Sequence, residues 1–336
     1  MNRPPYEITD RIINLLAEIV NKLGGLDATV NKKMDLYLRK ASMVKTVNSS
    51  CAIEANTLTE RQVEGIINGK RIIAPPNEII EVKNAYEAYT GMDGYDPYGT
   101  ASFLKAHGTL MKQLAEDAGK FRKTDVGVYA QGKIVHLGAR PRFISGLMDD
   151  LFNWARTSEL NPIIKACVLH YEIETIHPFS DGNGRIGRLW QSVVLCRYSG
   201  HFKLMPIETL VYANQQRYYD AIEASRDVNS STPFIEFMLE MILETMDEFS
   251  AGGNRLQGIK NEYLLNLTKN EKEMLRIIIG SFDADAAFTA GRLSEMTDKA
   301  APTVRNHLKK FTDERILTAS GDNKGRKYVL NKDIFS

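Results

Sequence analysis

Apolar positions recur at three- and four-residue spacing along most of the chain. Ile8, Ile12, Leu15, Leu16, Ile19 and Leu23 form one stripe, which predicts a helix over 8–23 ended by Gly24-Gly25. A second helical stretch covers 30–55. Thr59 stands three residues before Gln62, a capping box ahead of Val63, Ile66 and Ile67. Pro75-Pro76 interrupts the pattern and a further helix runs to Tyr89; 91–99 is loop and 102–118 is helical again. Between 126 and 138 the period changes to two. Val126, Val128, Ile134, Val135 and Leu137 flank a Gln131-Gly132 turn, the signal of a hairpin. Helices follow over 142–157, 162–175, 184–198, 208–226 and 233–250.

Ala251-Gly252-Gly253-Asn254 marks a shift in composition and a boundary. The pattern predicts a mainly α chain: an N-terminal helical region over 1–100, a core over 101–250, a linker or helical extension over 251–267 and a small domain over 268–336. That last segment reads helix, helix, helix, hairpin.

Composition bounds the function more than it defines it. The 336 residues are 43% hydrophobic and 25% charged with a net charge of +1. The balance is that of a soluble globular protein with no overall bias toward nucleic acid or membrane. Cys51, Cys167 and Cys196 are odd in number and lack metal-ligand spacing, so they read as reduced thiols in a cytoplasmic protein. Met1–Tyr6 leads into an amphipathic stretch rather than a leader, and no apolar run approaches the roughly 20 residues needed to span a bilayer.

The chemistry concentrates in His177-Pro178-Phe179-Ser180-Asp181-Gly182-Asn183-Gly184-Arg185-Ile186-Gly187-Arg188, a loop between two apolar helical runs. Gly182-Asn183-Gly184 allows tight turns whose amides can face an anion, and the following helix adds free N–H groups and a positive dipole end. Arg185 and Arg188 share a face of that first turn and suit phosphate. Asp181 supplies a hard oxygen of the kind that holds Mg2+ against phosphates. His177 is a base near neutral pH.

This string resembles the Fic motif, in which His, Phe, an acidic residue, Gly-Asn-Gly-Arg and a second Arg recur at this spacing. The resemblance covers roughly residues 50–250. It implies a Fic helical bundle with a β-hairpin flap, and transfer of AMP from ATP to a Ser, Thr or Tyr hydroxyl of a target protein. By that likeness His177 is the base and Asp181 holds Mg2+. The amides of Gly182, Asn183 and Gly184 with Arg185 hold the phosphate chain, Arg188 holds the γ-phosphate, and Phe179 anchors the loop in the core. The Doc branch, which phosphorylates, has Lys at the position of Gly184, so Gly184 favours AMP transfer; phosphocholine transfer is also known in the family. The hairpin corresponds to the family's flap, with Val128, Tyr129, Gln131, Gly132, Ile134 and Val135 as target-binding positions. Tyr218 and Tyr219 fall where relatives contact the nucleoside.

Ser50-Cys51-Ala52-Ile53-Glu54-Ala55-Asn56 is similar to the family's inhibitory helix motif, with Ala55 in place of the usual Gly. The likeness implies a bidentate pair between Glu54 and Arg188 that blocks the γ-phosphate. In some relatives the same Glu supports removal of AMP.

Residues 268–330 resemble a winged helix-turn-helix. Segment 299–327 carries eight basic and three acidic side chains, which makes Arg305, Lys309, Lys310, Lys324 and Arg326 candidate DNA contacts. The leading expectation is thus an autoinhibited protein adenylyltransferase. A nucleotide-sensing DNA-binding regulator is the alternative, and a second copy of the chain is a further partner class. A membrane is not expected as a partner.

Overall fold

The computed structural model describes residues 3–26, 32–130, 133–254, 263, 267–282, 285–297, 299–322 and 325–334. Its helices bury the stripes the sequence lays out. α1 (Asp10–Leu26) packs Ile12, Ile19 and Leu23, and continues through Gly24-Gly25 because Leu26 extends the buried face. α2 (Lys32–Ile53) ends just before Glu54. α3 (Glu60–Ile67) starts at the expected capping box on Thr59 and Gln62, and α4 (Pro76–Thr90) follows. α5 (Thr100–Leu110) is shorter than its pattern suggests, and left-handed Gln113 and Gly119 turn the chain beyond it.

The hairpin forms from β1 (Gly127–Ala130) and β2 (Lys133–Leu137), antiparallel with an irregularity between Val128 and Tyr129. α6 (Pro141–Thr157), α7 (Pro162–Ile176) and α8 (Asn183–Tyr198) come next. α7 and α8 pack along each other, and almost every residue of α7 is buried. Phe103, Phe152, Phe179 and Trp190 make the aromatic centre of this core. The helix expected over 208–226 is two helices, α9 (Ile207–Ala213) and α10 (Gln215–Asp227), broken at Asn214. α11 (Thr232–Asn254) completes the series.

Two compact units are present: Met1–Ala28 with Ser42–Thr245, and Thr29–Ala41 with Met246–Ser336. The described part of 267–334 holds three helices, α12 (Lys269–Ser281), α13 (Ala290–Thr297) and α14 (Ala301–Asp313). Its sheet has β3 (Phe288–Thr289), β4 (Leu317–Ser320) and β5 (Lys327–Leu330) in the order β3-β5-β4. Leu275, Ile278, Leu293, Val304, Leu308, Phe311 and Ile316 fill its core. β3, only two residues long, has no sequence signal. Among the described residues no helix is long and apolar enough to cross a membrane.

Candidate active site

The loop from His177 to Gly182 is closed by left-handed backbone at both ends. His177 ends α7 at φ 52°, and Gly182 opens α8 at φ 83°. A Cβ at Gly182 would lie 2.6 Å from the Met111 sulfur, so glycine is required by both conformation and space. Between these ends Asn183 folds its side chain back. Its Oδ1 accepts from the Phe179 N–H and its amide donates to the Phe179 carbonyl, both at 2.9 Å. Phe179 is fully buried, the anchor the motif implies, and stacks on His107 at 3.5 Å. His107 Nδ1 accepts from the Gly119 N–H at 3.0 Å, so its Nε2–H donates to the Asp181 carbonyl at 2.9 Å. Burial pushes the His107 pKa down to about 4, which keeps that tautomer neutral. Arg122 braces the other side, donating to the carbonyls of His177 and Thr124 at 2.7 Å.

Next to this frame lie the charged groups. The first bond inside α8 runs from the Ile186 N–H to the Gly182 carbonyl, so the amides of Asn183, Gly184 and Arg185 precede the helical ladder and are the donors an anion would meet. Arg185 pairs with Glu81 at 2.6 Å and with Asp181 Oδ1 at 2.9 Å. Asp181 Oδ1 also accepts from the Gly182 N–H at 2.6 Å. These bonds use one carboxylate oxygen. Oδ2 remains on a side chain that is 61% exposed, a donor that fits Mg2+ shared with substrate phosphates. No cluster of three acidic, His or Cys ligands exists among the described residues.

The partner of Arg188 comes from the far end of the sequence. Its Nη2 donates to Glu54 Oε1 at 2.6 Å and to the Ser50 carbonyl at 3.2 Å, while Nε reaches the Ser50 hydroxyl at 3.4 Å. The hydrogen bond to Glu54 is therefore made by Nη2 alone rather than bidentately, and Ser50 takes Nε and shares Nη2. Burial raises the Glu54 carboxyl, but the positive charges of Arg188 and Arg185 outweigh it and hold the pKa below the usual value. Glu54 hangs over the first turn of α8: a Cβ on Gly184 would meet its Oε1 at 2.5 Å. It sits not on α2 but in the turn after it, where Ala55 takes φ 66°. That conformation explains the usual Gly at this position in the motif.

Several participants carried no sequence signal. Glu81, Glu174, His107, Arg122 and Glu208 are scattered acids, bases and an arginine whose roles appear only in space. Glu174, one turn before His177, has its pKa raised to about 7 by burial. The buried Glu208 accepts from Tyr89 at 3.1 Å and Ser192 at 2.8 Å, and Tyr89 reaches Ser50 at 3.4 Å.

Other expected site residues are placed less simply. Tyr218 is 1% exposed and its hydroxyl meets His170 Nε2 at 3.0 Å, so it is a core residue; Tyr219 is 46% exposed. Val128, Tyr129, Ile134 and Val135 lie on the two hairpin strands, whereas Gln131 and Gly132 lie outside the described residues. The hairpin base is tied to the end of α7 just before His177, since Ala139 N–H donates to the Ile176 carbonyl at 3.0 Å. In the other unit Arg305 and Lys309 are exposed one turn apart on α14, and Arg326 is exposed before β5. Lys310 instead pairs with Glu271 of α12 at 3.0 Å, and Lys324 lies outside the described residues.

Known proteins resemble the chain in both sequence and fold. Residues 97–195 match the Fic/DOC family model. The crystal structure of a Fic family protein from Desulfovibrio desulfuricans G20 is 31% identical, covers 98% of each chain and superposes with a TM-score of 0.73. The chain belongs to the Fic family. It is also similar to the protein adenylyltransferase Fic of Culex quinquefasciatus, with 27% identity over 68% of this chain and 45% of that one. The protein adenylyltransferase fic-1 of Caenorhabditis briggsae is 25% identical over the same two shares. The chain spans less than half the length of these curated relatives.

Proposed function

We propose that this protein is an adenylyltransferase that moves AMP from ATP to a Ser, Thr or Tyr hydroxyl of a target protein, restrained by Glu54. The observation that carries this reading is the placement of Glu54 on Arg188, over the amide-lined first turn of α8 and beside His177. A carboxylate held there occupies an anion position, which makes a phosphate the natural ligand.

His177 takes the proton of the target hydroxyl. The hydroxyl oxygen bonds to the α-phosphorus, and the bond to the bridging oxygen breaks, its electrons leaving with pyrophosphate. The amides of Gly182, Asn183 and Gly184 with Arg185 hold the phosphates in line, and Arg188 receives the γ-phosphate once Glu54 withdraws. Asp181 would hold Mg2+, which supplies charge neutralisation on the phosphates when bound. Positioning and charge carry most of such a reaction, with a His base adding typically 10²–10⁴-fold. The hairpin backbone offers strand addition to a target segment, and Tyr219 offers an exposed ring to the nucleoside.

The three helices and the β3-β5-β4 sheet support reading the C-terminal unit as a winged helix-turn-helix, with Arg305 and Lys309 on the third helix facing DNA. ATP as substrate and the buried thiols of Cys51 and Cys167 fit a reducing cytoplasm.

The test is to supply α-labelled and γ-labelled ATP in parallel to the full chain and a lysate. Label from the α position alone is expected on protein. Label from the γ position alone would make the chain a phosphotransferase and overturn the reading.

A further inference from the structure

We infer that Glu174 is a positioning residue for the base: its carboxyl orients His177 and offsets the positive charge His177 gains on taking a proton. The inference rests on the role proposed for His177.

The same residue presents two oxygens to one ring nitrogen. His177 Nδ1 lies 3.3 Å from the Glu174 carbonyl and 4.0 Å from Glu174 Oε2. A carbonyl can only accept, so it places the imidazole proton on Nδ1 and leaves Nε2 as the base. The carboxyl stands behind that bond with 14% of its side chain exposed, against 18% for His177. Water therefore screens the pair weakly.

Its other oxygen faces α8. A Cβ on Gly184 would lie 3.3 Å from Glu174 Oε1, and one on Gly187 3.5 Å from it. Two side-chain-free positions thus make room for a carboxyl between the base and the first turn of the anion site. The groups that face it from other elements are Glu54 after α2, Arg188 on α8, and Tyr218 and Arg226 on α10.

A buried chain of hydrogen bonds holds the carboxyl in this place. The Tyr218 hydroxyl bonds Glu174 and meets His170 Nε2 at 3.0 Å, and His170 Nδ1 meets the Gln191 amide at 2.5 Å. With Gln191 Oε1 toward His170, its amide nitrogen has no partner. Turning that amide over lets its N–H donate to His170 Nδ1 and gives one consistent order, Gln191 to His170 to Tyr218 to Glu174, each donating to the next. Burial keeps the Glu174 pKa near 7, so its charge is available to respond as His177 protonates.

The experiment is an NMR titration of the His177 ring in the full chain, assigned by loss of the signal in His177→Ala, for wild type and Glu174→Gln. A carboxylate beside an imidazolium favours the charged form, so Glu174→Gln is expected to lower the His177 pKa by at least about half a unit. An unchanged His177 pKa overturns the inference. Labelling rates are measured in parallel in a Glu54→Gly background. There Glu174→Gln is expected to lower kcat at least about tenfold with the KM for ATP little changed, and to move the acid limb of the rate to lower pH. Wild-type kcat and acid limb in Glu174→Gln would also overturn it. Glu174→Asp, which keeps the charge, is expected to restore part of both properties; failure to differ from Glu174→Gln counts against the charge. Loss of all labelling in the Glu54→Gly protein would sink the proposed function instead, and the ring titration would still decide the role of Glu174.

Discussion

At the residue scale the proposed brake is one contact with a sign that can be checked. Glu54→Gly removes the carboxylate from Arg188, and label transfer is expected to rise at least about tenfold, since each 1.4 kcal/mol is a factor of ten and breaking such a pair costs a few kcal/mol. Arg188→Ala is not expected to mimic it, because the γ-phosphate loses its partner too. Initial rates for the two variants, their double mutant and wild type decide this; the double mutant should be as slow as Arg188→Ala. Because the Glu54 pKa is held below its ordinary value, the pairing is complete above the unfolded carboxylate pKa and is lost as pH falls through the folded one. The brake is therefore expected to hold unchanged through neutral pH and to weaken only under acid conditions, which a comparison of wild-type and Glu54→Gly rate profiles would reveal. Ala55 gives a separate test. Its φ of 66° costs an L-residue about 1–2 kcal/mol, so Ala55→Gly should raise the melting temperature without raising transfer. A fall in stability would mean the turn is not strained.

At the element scale, the position of Glu54 depends on how α2 is held. Thr46 and Ser49 bond Glu208 and Thr209 at 3.3 Å, and Gln215 on α10 donates to the last α2 carbonyl, Ile53, at 3.0 Å. Tyr89→Phe removes the hydroxyl that joins Glu208 to Ser50. A net hydrogen bond is worth about 1 kcal/mol, so basal labelling should rise severalfold while ATP binding in the Glu54→Gly background stays the same. An unchanged basal rate would show that Ser50 and Arg188 need no such support. Elements of this kind were largely legible, because amphipathic stripes survive in the sequence. The misjudged ones have local causes. α5 stops at Leu110 because left-handed turns follow, α9 and α10 part at Asn214, and β3 is too short to leave a pattern. Within the site the contiguous string from His177 to Arg188 was readable. Glu81 and Glu174 were not, since a lone Glu on a helix looks the same whether it faces solvent or an arginine 104 positions away.

At the scale of the whole molecule, charge is uneven though its sum is +1. If the C-terminal unit meets DNA, Arg305→Ala with Lys309→Ala should weaken a gel shift and flatten its salt dependence, each lost phosphate contact reducing the slope by about one. No shift at low salt would leave that face to protein contacts. The contact between Glu54 and Arg188 joins groups 134 residues apart, and this has a consequence for the timing of manufacture. Chains emerge N-terminus first at about 5–20 residues per second, so Glu54 is made on the order of ten seconds before Arg188. When α8 finally folds against the rest, the group that closes its anion site has already been produced. A chain restrained by Glu54 as proposed thus arrives locked, and activity would have to be granted to the finished molecule by whatever draws Glu54 aside.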